Sequence, residues 1–188
     1  MSGRWALFAA VLGIGLSTGL SGDARSDIVG ERAASASQAV WGEITWPFLI
    51  DEWGQGRAFV CHAGDCGSEM SLYLRVKVGF CSCATGVTDD DDIDRVGDVR
   101  LLSEHFAGLA GGRAVEVNGM SGLSRSYLAS LPLAGGQTAV AIVLHARCDA
   151  VVATVVAAPD QLAAAERNAL GFLGGDRALG WIKAASGS

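Results

Sequence analysis

Between Met70 and Phe80 the chain reads MSLYLRVKVGF, and every second residue is apolar without a miss. Met70, Leu72, Leu74, Val76, Val78 and Phe80 share one face of such a segment, and Ser71, Tyr73, Arg75, Lys77 and Gly79 share the other. A strict period of two is the signature of a β-strand with one face in a core. The chain must therefore build a sheet around this segment. Arg57 to Ala63 is expected to form the other arm of a hairpin with it.

The remaining elements follow from the same patterning. Ile44, Trp46, Phe48 and Ile50 alternate with Thr45, Pro47 and Leu49 and predict an earlier strand. Pro47 lacks a donor, so that strand belongs at an edge or is irregular. Trp53-Gly54-Gln55-Gly56 reads as a turn. Thr88 is expected to cap a helix that begins TDDDDIDRV, where the carboxylates face the positive end of the helix dipole. Ile93, Val96, Val99, Leu102, Phe106 and Leu109 continue at helical spacing up to Gly111-Gly112. Strands are expected at Arg113–Val117, Ser124–Leu131, Thr138–Ala146 and Ala150–Ala158, the last two joined at an Arg147-Cys148-Asp149 corner. A final helix should run from Asp160 to Leu173, and the tail after it should pack Trp181 back. Strand runs around two helices predict an α+β class with a mostly antiparallel sheet of about seven strands.

The N-terminus carries an address. Arg4 precedes an apolar run from Trp5 to Leu16, and Gly22-Asp23-Ala24 offers small residues at the cleavage positions. Residues 1–24 are therefore read as a signal peptide, residues 25–40 as a flexible leader and residues 41–188 as one domain. A 12-residue apolar core is shorter than the roughly 20 residues that span a bilayer. The mature chain is expected in the periplasm or secreted, with no stable membrane insertion. Its formal charge of −6 argues against a nucleic-acid partner, which demands clustered Lys and Arg.

Familiar catalytic patterns are missing from the sequence. The Gly-x-Ser-x-Gly match at Gly15–Gly19 lies inside the signal peptide. A calcium loop starting at Asp90 would have Arg95 where glycine must turn the chain and Leu101 where the bidentate Glu belongs. The acidic run is read as helix N-terminal charge.

Five cysteines are left to explain, at 61, 66, 81, 83 and 148. In an oxidising compartment disulfides are the default. A four-residue loop, His62 to Asp65, would place Cys61 directly opposite Cys66 across the hairpin, within disulfide reach. Cys81 or Cys83 is then expected to join Cys148, which leaves one thiol over. That thiol has three readings. It is a buried apolar filler, or a soft copper or zinc ligand with His145, His105 or a second cysteine, or a thiol–disulfide exchange centre. Arg75 and Lys77 alternate onto its strand face and would favour a thiolate. Trp41, Trp46 and Trp53 are read as core, with a partner-binding surface as the alternative.

Two resemblances bear on the fold and role. The element order is similar to the PsbP/Mog1 fold, an α/β/α sandwich with helices on both faces of the sheet. Members of that fold mostly act as accessory or partner-binding proteins. Separately, WPF, DEWGQGRAF, LYLRVKVGFCSCATGV and DDDDIDRV together resemble a group of small exported alphaproteobacterial proteins. Together these imply an exported, non-enzymatic accessory or partner-binding protein held by disulfides. The alternative is a thiol–disulfide oxidoreductase or a copper- or zinc-handling protein built on Cys81, Cys83, His145 and Cys148.

Overall fold

The computed structural model describes residues 39–80, 84–131 and 135–186. The signal peptide, nearly all of the leader, and Cys81 and Cys83 lie outside the described residues. Among those described, eight strands form one antiparallel sheet and four helices accompany it. The class is α+β, as the patterning predicts. The strands are β1 (Gly42–Ile44), β2 (Arg57–Cys61), β3 (Met70–Lys77), β4 (Phe106–Gly108), β5 (Arg113–Val117), β6 (Met120–Leu131), β7 (Gly135–Ala146) and β8 (Asp149–Ala157). Their order across the sheet is β1-β2-β3-β8-β7-β6-β4, with β5 also paired to β6. The helices are α1 (Ala63–Cys66), α2 (Asp90–Val96), α3 (Leu162–Leu173) and α4 (Asp176–Ala185).

Register explains why the core divides. Phe59 pairs with Leu72, Leu72 with Val155 and Val155 with Val140, so one row of side chains crosses four strands. This row belongs to a cluster that also holds Ala165, Ala169 and Leu173 of α3 and Ala178 and Ile182 of α4. Alanine dominates the buried positions of α3, which lets the helix lie close to the sheet. The alternate residues of β7 and β8, Ala141, Val143, Ala150 and Val152, join a second cluster with Ile93 and Val96 of α2 and with Val99. Leu72, Leu74, Ile142 and Leu144 have no exposure, and each such burial is worth about 1.5–3 kcal/mol.

Four expectations need correction. The first strand stops at Ile44, before the Trp46-Pro47 segment that was expected to extend it. It does lie at the sheet edge, and Pro47 follows it in irregular chain outside the sheet. β3 stops at Lys77, not Phe80, because Gly79 turns the chain with φ +68°, a conformation that favours glycine. Val78 is thus exposed instead of continuing the core stripe, and Phe80 packs in the second cluster.

The acidic helix is the third correction. It is capped by Asp89, whose side chain accepts the Asp92 N–H, one residue after the expected Thr88. It also ends at Val96 and passes into a 3-10 turn, Asp98–Leu101, so the helical spacing out to Leu109 is misleading. Ser103 Oγ accepts the His105 N–H and donates to the His105 carbonyl, a local turn that competes with helix. Phe106 then enters a short strand opposite Ala129. This strand raises the count from about seven to eight.

The last correction concerns the end of the chain. Asp160 lies in a 3-10 turn, and α3 proper begins at Leu162. The tail after Gly174-Gly175 is itself a helix, α4, and Trp181 packs partly buried against the first cluster, as expected of it.

Candidate functional site

The segment between β1 and β2 is fixed at both ends and open in the middle. Trp46 and Phe48 stack edge-on with each other at 5.2 Å and with Tyr73 of β3 at 6.1 and 4.7 Å. Gly56 is required for this arrangement. A Cβ there would fall 2.6 Å from the Leu74 carbonyl and 2.6 Å from the Trp46 ring. Beyond the aromatic group, Asp51 closes a tight turn. Its carbonyl accepts the Gly54 N–H at 3.0 Å, and its carboxylate accepts the Trp53 N–H at 2.9 Å.

Asp51 is in turn tied to a buried charge network. Arg75 Nη1 donates to Asp51 Oδ1 at 2.7 Å, while Arg75 Nε and Nη2 grip both oxygens of Asp98 at 2.9 and 2.5 Å. Lys77 Nζ lies 2.9 Å from Asp98 Oδ1 and donates to the Val96 carbonyl at 2.8 Å. Arg75, Lys77 and Asp98 are all buried. Burial opposes the charge on Arg75, but the Asp98 and Asp51 carboxylates outweigh it and hold the guanidinium protonated. Burial likewise pushes Asp51 upward, yet Arg75 and the Trp53 N–H bring its carboxyl below the ordinary range. Trp53 and Phe80 stack at 4.8 Å, and Lys77 Nζ sits 5.6 and 5.4 Å from their rings.

Between these two anchors Leu49 and Ile50 stand in solvent, at 91% and 71% exposure. The following Glu52 is also exposed. Two adjacent aliphatic side chains held outside the core by a pinned backbone are the notable surface feature of this segment. Isolated exposed leucines are ordinary; a pair displayed between two rigid anchors is a candidate contact surface.

The tryptophans follow the core reading at two of the three positions, and the alternative of a partner surface does not hold for those two. Trp41 and Trp46 are buried, the first against Phe172 and the second against Tyr73, so neither is a surface residue. Only Trp53 is half-exposed. The sequence pattern does not single out this exposed pair, because it places Leu49 and Ile50 on opposite faces of an expected strand. Arg75 and Lys77, expected to activate a thiol, spend their charges on Asp98, Asp51 and the Val96 carbonyl.

The cysteine expectations divide. Cys61 and Cys66 form a disulfide, with Cα atoms 6.0 Å apart. The geometry differs from the expected one: Cys61 pairs with Met70, and Cys66 ends the single-turn helix α1 that folds back over it. Cys148 is also disulfide-bonded, at the turn between β7 and β8, and its partner lies outside the described residues. His145 sits three residues earlier, opposite Ala150, with a buried Nδ1 that has no hydrogen-bond partner. The chain at Gly86 passes directly against that ring, close enough that a Cβ there would strike Nδ1. Among the described residues no group of three or more His, Cys, Asp or Glu side chains converges on one point.

The acidic run is absorbed by its surroundings. Asp92 accepts the Thr88 N–H and hydroxyl and pairs with Arg95. Asp90 accepts the Gly112 N–H at 2.6 Å, and Asp94 accepts from the Tyr127 hydroxyl at 2.6 Å and from Arg125 at 2.8 Å. Burial and then the Asp94 carboxylate push the Tyr127 phenol strongly upward, so it remains a donor. Asp92 thus turns to Thr88 and Arg95, while Asp90 and Asp94, one turn apart on the helix, share Arg125. No protein-family model matches the chain, and no characterised protein matches it in sequence.

Proposed function

We propose that the protein is an exported, non-enzymatic accessory protein that binds a protein partner through Leu49 and Ile50. The observation that carries this reading is the exposure of that aliphatic pair on a segment anchored by Asp51–Arg75 and by the Trp46–Tyr73 contacts. A pinned loop loses little entropy on docking, so its apolar area contributes more fully to affinity. The partner offers an apolar cleft with a basic rim, because Glu52 flanks the pair and the chain carries a net charge of −6. The fold in this reading is a PsbP/Mog1-like α/β/α sandwich. It is supported by the alternation along β7, which puts neighbouring residues into clusters with different helices.

The test places a photo-crosslinking amino acid at position 49 in exported protein. The reading expects one defined adduct with another protein that carries basic residues at the crosslinked site. An adduct with a second copy would make the tip a self-association surface. A crosslink to residues 25–38 would make it the seat of the leader. Either result, or no adduct, replaces the reading.

A second reading rests on His145. The disulfide at Cys148 favours redox handling by Cys81, Cys83 and Cys148, and the unpartnered buried Nδ1 of His145 favours copper or zinc held by His145 with the thiols of these cysteines once the disulfide is reduced. Insulin-reducing activity lost in Cys83→Ser, or stoichiometric zinc binding lost in His145→Ala, would move the assignment there.

A further inference from the structure

The β5–β6 hairpin closes through two residues. Val117 pairs with Met120, so Asn118 and Gly119 form the whole loop. Both have left-handed backbones, with φ of 50° and 78°, the geometry for which Asn-Gly is the favoured pair. Both are exposed, and a Cβ built on Gly119 would meet nothing within 4 Å. Asn118 Nδ2 donates to the Gly174 carbonyl at 3.1 Å, which ties the loop to the end of α3.

This loop brings together the parts of one reaction. The Asn118 amide carbon is an electrophile, and the next backbone nitrogen belongs to a residue with no side chain to shield it. The ladder bonds that close such a loop are made by the flanking pair, so they do not hold the Gly119 nitrogen. Asn168, the other asparagine of the chain, supplies the contrast. It lies inside α3, where the following nitrogen belongs to the buried Ala169 and is committed to the helical ladder.

We infer that Asn118 is a site of spontaneous deamidation in the folded protein, with water as the co-reactant, and that the Gly174 contact sets its rate. The Gly119 nitrogen attacks Asn118 Cγ, and the new N–Cγ bond forms as the Cγ–Nδ2 bond breaks. The proton lost from Gly119 leaves with the side-chain nitrogen as ammonia. Water then opens the cyclic imide. Opening at the side-chain carbonyl gives aspartate, and opening at the backbone carbonyl gives isoaspartate. No electrons are transferred, and one negative charge is added. While Nδ2 donates to Gly174, the amide is not free to turn onto the Gly119 nitrogen. Once the amide is gone, an acidic oxygen replaces the donor, and two acceptors face each other where the tie to α3 had been. The inference uses none of the residues of the Leu49–Ile50 tip and stands or falls apart from it.

The experiment incubates the mature protein at neutral and mildly alkaline pH, folded and in urea, and follows both asparagines by peptide mapping that separates aspartate from isoaspartate. The expected result is conversion at Asn118 and not at Asn168, faster at the higher pH because base removes the Gly119 proton. The folded protein should react about five- to fiftyfold more slowly than the denatured one, since the Gly174 bond and the fixed turn must open first. Asn118→Ser should abolish the more acidic species. Asn118→Asp should match the aspartate product in Tm, and both should melt below the native protein because the tie to α3 is lost. The inference is overturned if Asn118 stays intact in the folded protein over a time in which a reaction about fiftyfold slower than the denatured one would show. Equal conversion of Asn168 would also overturn it, and equal folded and denatured rates would remove the role given to Gly174.

Discussion

Replacing Asp98 with Asn removes one charge from the centre of the buried network with almost no change in shape. In the native protein Asp98 receives three contacts from two cations, at 2.5, 2.9 and 2.9 Å. After the change the amide oxygen at position 98 can still accept from Arg75 or Lys77, but the carboxylate charge is gone and the NH2 group takes the place of the oxygen that accepted from Arg75 Nε; the charged partner left is Asp51, with the Val96 and Gly54 carbonyls beside it. Two buried cations then share one partly exposed carboxylate. Removing one partner of a buried pair costs about 3–5 kcal/mol, and the retained Asp51 contact places this case near the lower end. A loss of about 3 kcal/mol would lower Tm by roughly 6–12 °C in a domain of this size. In urea the midpoint should fall by about 1–3 M with an unchanged slope. Adding Lys77→Met removes the stranded ammonium, so the double variant should recover part of the loss. A single-variant effect below about 1 kcal/mol, the median of exposed ion pairs, would refute the reasoning, as would a double variant no more stable than Asp98→Asn.

Four further outcomes follow from the same observations. Peptide mapping of exported protein under non-reducing conditions should recover Cys61 linked to Cys66 and Cys148 linked to Cys81 or Cys83; thiol titration should give one free thiol, rising to two in Cys148→Ser. The mature chain should begin near Arg25, and mass analysis finding Met1 on the isolated protein would contradict export. Stability should be level above the ordinary carboxylate pKa of about 4 and fall as pH drops through the lower folded values. Glu43 is lowered chiefly by Arg57, Asp92 chiefly by the Thr88 N–H, and Glu166 by Arg113 and Ser124 against an opposing push from burial. Depressed carboxylates contribute above their unfolded pKa and lose that contribution in acid, so a rise in stability between pH 5 and 3 would reverse the sign. Asp90→Asn with Asp92→Asn should lower stability modestly, with no calcium-dependent change in Tm for either protein.

Strand content was legible wherever period two ran long against neighbours, as in Met70–Lys77 and the β6–β8 meander. It failed where a local turn overrode the pattern. Gly79 ended β3 early, and the Ser103–His105 turn diverted Val99-to-Leu109 spacing from helix into a short strand. The Cys61–Cys66 pairing was legible from proximity in sequence, although the route to it was a helical turn and not a cross-strand pair. Arg75, Lys77 and Asp98 could not be joined from sequence because 23 positions separate Arg75 from Asp98 and no motif marks a salt-bridge partner. The Leu49–Ile50 tip was hidden for a related reason. Pro47 signalled irregular chain, but only the anchors at Tyr73 and Arg75 decide which side chains of WPFLI turn inward.

The central claim is that Leu49 and Ile50 bind a protein partner, and the direct measurement is an affinity comparison on that contact. The protein captured by crosslinking at position 49 is purified and titrated with native chain and with Leu49→Ser/Ile50→Ser. Both side chains lie in solvent, so the variant should keep its Tm. The account predicts saturable one-to-one binding by the native chain and a loss of about tenfold or more in the variant, as for a truncated hot spot. Equal affinity of the two forms would contradict it.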